Sequence, residues 1–207
     1  MLKINKKKTI YILIVVNFIY SILLSQESIK SNELILKELS AQALESYIQN
    51  IQLNESDTIG IRYVYNNNVQ FLYDFLIDYL KNKKKYNLKI TENIDGNYLE
   101  YLINKLEINY SKPYRDKFLG EKRINRNVTI EYSFKFIQND GQVDVKPITV
   151  NYTDTVNYNS LEVIENKLLP LTMAKIPEDS FIEKYTIPII TISTLSIIVY
   201  LFFTIRK

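Results

Sequence analysis

The chain has 207 residues, with neither cysteine nor histidine, 26 Lys plus Arg and 23 Asp plus Glu. Without thiol or imidazole there is no disulfide, no thiolate metal site, no cysteine nucleophile, no lipid-modified cysteine and none of the usual general base. The net charge of +3 is set at the two ends: setting six terminal cations aside leaves 20 Lys plus Arg against 23 Asp plus Glu, about −3, which is not the balance of a nucleic-acid-binding domain.

Lys3, Lys6, Lys7 and Lys8 precede an uncharged apolar run over residues 9–25. Its apolar part is about 15 residues, roughly 22 Å as helix, and falls short of a ~30 Å hydrocarbon core. A short run behind a lysine-rich start, with Ser21 and Ser25 near its end, has the form of a secretory signal peptide. Residues 1–25 are therefore expected to be a signal peptide or, if retained, a signal anchor. An extracytoplasmic domain is expected over 26–156.

Residues 31–50 have helical spacing, with Leu36, Leu39, Ala43 and Tyr47 on one stripe and Leu44 and Ile48 widening it. Ser31 suits the N-cap, and Glu33 favours the positive end of the helix dipole. Residues 58–65 alternate, with Ile59, Ile61, Tyr63 and Tyr65 on one face, and Asn66, Asn67 and Asn68 supply a turn. A second helix is predicted over 69–83, burying Val69, Leu72, Leu76, Tyr79 and Leu80 and leaving Asp74 and Asp78 outside. Lys83, Lys84 and Lys85 at its end offset the dipole. A short strand over 86–91 follows, with Leu88 and Ile90 facing inward and a turn at Asp95–Gly96. Strand, helix and strand in this order predict a right-handed parallel β-α-β unit.

The chain then changes character. Residues 100–110 alternate through Leu102, Leu106, Ile108 and Tyr110. Residues 126–137 alternate most strictly, with Val128, Ile130, Tyr132, Phe134 and Phe136 set against Thr129, Glu131, Ser133 and Lys135. Asn139–Asp140–Gly141 forms a hairpin turn, and Pro147 marks the returning strand, 143–155, as an edge or bulged strand. The predicted fold class is α+β, a β-α-β unit followed by antiparallel strands with the helices on one sheet face. Residues 157–184, interrupted by Pro170 and Pro177, read as a partly helical membrane-proximal tether.

Residues 185–205 are again uncharged and apolar, about 31 Å as helix, the length of a spanning segment. Pro188 is placed in its first turn, and Thr191, Ser193, Thr194 and Ser196 can return their hydroxyls to the helix's own carbonyls. Tyr185, Tyr200, Arg206 and Lys207 suit the interfaces. Positive charge stays on the cytoplasmic side, so both ends, including the tail 206–207, are expected in the cytoplasm and the domain outside it.

The order helix, strand, helix, strand, then a long hairpin around Asn139–Gly141 with Asp154 after it, resembles periplasmic domains of bacterial envelope assembly proteins. The curli-secretion lipoprotein family is one such group that it resembles. The resemblance covers roughly residues 31–155 and implies a bacterial envelope role; the two apolar runs and their flanking charges make the cytoplasmic membrane the expected location. The absent lipidated cysteine and the C-terminal apolar run depart from the family, and no functional residue carries over.

No phosphate-cradling loop can be built from Gly60, Gly96, Gly120 and Gly141, which stand far apart, so no nucleotide is expected. Asp74 and Asp78 share a helix face without a third oxygen ligand, and Asp140 and Asp144 flank a turn, so no metal or other cofactor is expected. Lys112, Arg115, Lys117, Lys122, Arg123 and Arg126 gather near one loop, which reads as a solvated tip ahead of a dock for an acidic partner. Asn54, Asn109, Asn127 and Asn151 head N-x-S/T triplets that an Asn-rich chain produces by chance, and the 17 tyrosines read as compositional bias. No catalytic residue emerges. The expectation is a non-catalytic membrane-anchored domain that binds or scaffolds other envelope proteins. The alternatives are a glycan-active enzyme using carboxylates alone and an accessory subunit of a transport or secretion complex.

Overall fold

The computed structural model describes residues 29–51, 58–63, 68–90, 96–117, 120–178 and 181–205, and the expected signal segment lies outside them. Helix α1, Asn32–Ile48, begins as its sequence directs: the Ser31 hydroxyl accepts from the Leu34 amide at 3.2 Å. The expected stripe is buried through Leu36, Leu39, Ala43, Leu44 and Tyr47, joined by Ile35. Strand β1 is Thr58–Tyr63 and helix α2 is Gln70–Asp78, prolonged by a π-helical turn over Tyr79–Lys83. Val69, Leu72, Leu76, Tyr79 and Leu80 are buried as the spacing predicts, and Asp74 and Asp78 are outside. Strand β2 is Asn87–Ile90, and it pairs parallel with β1, so the β-α-β unit is present.

Strand β3, Tyr98–Tyr110, lies on the other side of β1 and pairs parallel with it, a pairing the sequence pattern does not reveal. Then come β4, Tyr114–Arg115, β5, Lys122–Ile137, and β6, Val143–Asn157. These described strands make one six-stranded mixed sheet in the order β2-β1-β3-β5, with β4 and β6 also paired to β5. The β3–β5, β4–β5 and β5–β6 pairs are antiparallel, so the fold is α+β. The hairpin turns at Asn139–Gly141, where Gly141 takes φ +83°, a left-handed conformation that favours glycine. Strand β6 ends the sheet on that side, the position Pro147 requires.

Both helices bury their stripes against one face of the sheet, and the even-numbered side chains of β5 from Ile124 to Phe136 point into that layer. An aromatic chain crosses it. Tyr47 of α1 stacks on Phe134 with ring centroids 5.1 Å apart, Phe134 stacks on Tyr132 at 5.1 Å, and Tyr101 of β3 meets Tyr73 of α2 at 5.3 Å. The opposite face is uncovered among the described residues and polar: Asn104 donates to Ser133 at 2.7 Å, Thr155 to Asn125 at 2.9 Å and Thr153 to Asn127 at 3.2 Å.

Two sequence expectations are corrected. Leu102 does not join Leu106, Ile108 and Tyr110, because the register shifts between Ile103 and Lys105. Asn104 is the extra residue of this bulge, and it moves the inward positions from Leu99 and Tyr101 to Leu106, Ile108 and Tyr110, leaving Leu102 42% exposed. The C-terminal helix, α4 below, runs Phe181–Ile205, so Pro188 sits inside it and not in its first turn. The proline removes the amide that would bond the Lys184 carbonyl.

Residues 157–184 are partly helical, with turns at Tyr158–Ser160 and Pro170–Thr172 and a short helix α3, Leu161–Ile164. Leu161, Ile164 and Thr172 are buried, and Leu171, Ala174 and Ile176 pack against the core. The packed domain therefore continues past residue 156 to Ile176. Helix α4 follows, and in it the Thr194 and Ser196 hydroxyls donate to the Ile190 and Ile192 carbonyls at 2.8 Å, as expected.

Phe134→Ala should destabilise the domain by about 3–5 kcal/mol, because it empties the centre of the aromatic layer. Lys135→Ala, which loses only a half-exposed ion pair with Glu100, should cost about 1 kcal/mol or less. Chemical denaturation of the two variants separates the outcomes, and equal losses would contradict the alternation.

Candidate functional site

Two features of the described residues combine polar chemistry with defined geometry. The first is buried. Position 126 faces the core by strand alternation, yet it holds an arginine with 0% exposure. A guanidinium is tolerated there only when paired and hydrogen-bonded. Register supplies the pair, since Tyr110, Arg126 and Asp154 lie directly opposite one another across β3, β5 and β6. Arg126 donates Nε to Asp154 Oδ1 at 2.9 Å and Nη2 to Oδ2 at 2.6 Å, a bidentate fork. Its Nη1 donates to Asn32 Oδ1 at 2.7 Å. Asn32 Nδ2 in turn donates to the Tyr110 hydroxyl at 2.8 Å and to the Thr172 carbonyl at 2.7 Å. Tyr110 donates to Glu165 at 3.0 Å, and Tyr152 donates to Asp154 at 3.2 Å.

This knot joins the start of α1, three strands and the segment that leads to α4. It corrects the reading of the basic cluster: Arg126 leaves it for the core. Of the others, Arg123 pairs with Asp116 at 2.9 Å, Arg115 donates to the Gly120 carbonyl, and Lys122 lies 3.9 Å over the Tyr158 ring. Sequence reasoning missed the knot, although one signal points to it: Arg126 and Asp154 are equidistant from Asp140 at the hairpin turn and therefore face each other.

The second feature is a groove of about 450 Å³ between α1 and the α2 unit. Leu34, Ala41 and Phe75 give it apolar walls, and Lys37, Glu38, Asp78, Asn82 and Lys83 line the rest together with Tyr79. Leu34, Lys37, Glu38 and Ala41 follow helical spacing, so α1 presents one face to the groove and the opposite one to the sheet. Some charges at and near the groove have local partners. Lys37 pairs with Glu33 at 2.6 Å, Lys84 with Glu45 at 2.8 Å, and Lys83 lies 5.1 Å from the Tyr79 ring centre. The Tyr79 hydroxyl donates to Glu45.

The Lys84 contact, followed by the Tyr79 hydrogen bond, holds the Glu45 carboxyl below the usual range, and Lys37 followed by Asn166 does the same for Glu33. Burial, reinforced by Glu45, pushes the Tyr79 phenol up to about 12, and burial pushes Tyr110 to about 12. Burial also raises Tyr47, Tyr73 and Tyr132.

The sequence candidates separate in space. Asp74 accepts from Gln70 at 2.8 Å, while Asp78 accepts from Asn82 and faces the groove. Asp140 accepts from the Gln142 amide at 2.9 Å, which is turn chemistry, and the Asp144 carbonyl accepts from Tyr47 at 3.1 Å. Asn109, Asn127 and Asn151 are exposed on the uncovered sheet face, and Asn54 lies outside the described residues. Among the described residues no group of three or more carboxylates is placed to hold a metal.

Asp154→Ala should cost about 3–5 kcal/mol in denaturation, because it leaves a buried guanidinium without its counter-charge. Arg126→Met combined with Asp154→Leu should recover part of the loss, since replacing both charges removes the desolvation penalty. A pH dependence follows from the phenols. Their folded-state values are raised, so their contribution is intact below about pH 10, the unfolded tyrosine value, and is lost as pH rises from there toward 12. Phenolate absorbance and circular dichroism followed together should show the buried tyrosines ionising with unfolding above pH 10; ionisation of all phenols near 10 with the fold intact would contradict their burial.

No family model matches the chain, and no curated protein matches it in sequence. Among solved structures it is similar to a minor lipoprotein from Acinetobacter baumannii, at 14% identity and a TM-score of 0.29, over 52% of this chain and 69% of that one. It is also similar to a neuraminyllactose-binding hemagglutinin homolog from Helicobacter pylori, at 9% identity and a TM-score of 0.32, over 50% of this chain and 66% of that one, just under two thirds of its length.

Proposed function

We propose that the chain is a non-catalytic, membrane-anchored domain held outside the cytoplasm, where it binds or scaffolds other envelope components through the groove between α1 and α2. The observation that carries the reading is α4. Its segment Lys184–Thr204 is 21 residues, long and apolar enough to cross a bilayer, and none of it is buried against the domain. A soluble domain would cover such a surface.

The knot supports the same reading. The Asn32–Thr172 bond brings the start of α1 beside the segment that precedes α4. Lysines before the first apolar run and Arg206–Lys207 after the second support a topology with both ends in the cytoplasm. The groove has the form of a helix-in-groove receptor, with apolar walls against which an incoming apolar side chain can bury area and a charged rim around them.

The enzyme alternative has one specific observation on its side: two carboxylates, Glu38 and Asp78, line the same groove. Both are exposed, whereas a general acid draws on a desolvated carboxyl. Glu38→Gln and Asp78→Asn separate the readings, since binding through the groove should survive both and glycan hydrolysis should survive neither.

A reporter active only in the cytoplasm, fused after Lys207, should be active, and one that requires export should be silent; the reverse pattern contradicts the topology. A photo-crosslinker at Leu34 in the full chain in cells should give a discrete adduct that the same group at Leu102, on the uncovered sheet face, does not. Equal or no crosslinking at Leu34 contradicts the groove as the binding surface.

A further inference from the structure

Outside α4, Leu168 and Val163 are the most exposed large apolar side chains among the described residues, at 88% and 82%. A single exposed apolar residue needs no explanation. These two lie five residues apart in the segment that leads into α4, followed by half-exposed Met173. The backbone that carries them is held firmly. Leu161 and Ile164, on either side of Val163, are buried, and Asn166 accepts from the Leu168 amide at 3.0 Å while its own side chain donates to Glu33 of α1 at 3.0 Å. The turn thus presents Leu168 outward from an anchored frame.

The link from the domain to α4 is also short. Ile176 still packs on the core and α4 begins at Phe181, so four residues separate the domain from the helix, a Cα-to-Cα reach of at most about 18 Å. The charges nearby are mixed: Lys167 and Lys175 are offset by Glu162, Glu165 and Glu178. Attraction to anionic headgroups is therefore not what the segment offers. Its offer is apolar.

We propose that α3 and the turn after it, which bear Val163 and Leu168, form a membrane-contact surface, seated in the interfacial layer of the bilayer that α4 crosses, on the domain's side. This rests on α4 being a spanning helix. Three attachments, the helix and the two inserted side chains, fix the domain's tilt, and with it the direction in which the α1–α2 groove opens.

The chain has no cysteine, so single labels are easily placed. The full chain is reconstituted in lipid nanodiscs with an environment-sensitive fluorophore at Val163→Cys, Leu168→Cys, Asp140→Cys on the hairpin tip, or Ile197→Cys in α4. Quenching by lipids spin-labelled just below the headgroup is then read in zwitterionic and in anionic discs. Labels at 163 and 168 should be blue-shifted and quenched several-fold more than the label at 140, to the same extent in both lipids. If 163 and 168 behave like 140 while 197 is quenched, the contact surface is overturned and the spanning helix stands. If 197 is unquenched as well, the spanning helix falls and takes the proposal with it. Quenching at 163 and 168 in anionic discs alone overturns apolar insertion.

Discussion

A buried guanidinium constrains this molecule more than any other group. Arg126 sits in the core layer with no exposure, and moving a cation there costs several kcal/mol unless its counter-charge and hydrogen bonds are in place. Asp154 meets it as a fork from the next strand, Asn32 from the first turn of α1, and Asn32 then holds Tyr110 and the Thr172 carbonyl. A shift of the β5–β6 hairpin by one residue would turn Asp154 to the opposite face and leave Arg126 unpaired. Buried pairs of this kind often contribute no more to net stability than apolar residues of similar volume would. We take its role to be register: one sheet alignment satisfies it, and that alignment positions α1 and the segment before α4.

The tyrosines add to the same effect. Several are fully buried, and each buried phenol needs a partner for its hydroxyl. Tyr132 donates to Ser40 at 2.6 Å and Ser40 to the Leu36 carbonyl at 2.6 Å, while Tyr47 reaches the Asp144 carbonyl and Tyr101 the Tyr73 carbonyl. Helix and sheet are thus linked by hydroxyls as well as by area. A composition that reads as bias in sequence acts here as a specifying element of the core.

How much of this was legible depends on whether a local pattern carried the information. The β5 alternation and the α1 stripe were readable because a single period governs each and the residues that break it are few. Asn32 and Ser40 were not, since polar residues on a buried stripe make sense only once Arg126 and Tyr132 are opposite them. The bulge at Asn104 hid the face of Leu102, because one extra residue inverts the parity of everything before it. Parallel pairing of β1 with β3 left no mark in either strand. The groove was half legible: the outward face of α1 could be read, but that α2 lies beside it is a tertiary fact.

Function follows from how the two ends of this frame are used. The knot draws the start of α1 and the segment before α4 together, and the groove opens on the outer side of the helices that the knot and the aromatic layer hold in place. The most direct test of the knot as the tie is hydrogen exchange on the full chain and on Asn32→Ala. Loss of this one side chain leaves buried groups without partners, a cost of about 1–3 kcal/mol. Amides over 161–174 should then exchange roughly tenfold faster or more, while those over 128–136 keep their protection. Unchanged exchange over 161–174 would show that the segment is held by something other than the Arg126 knot.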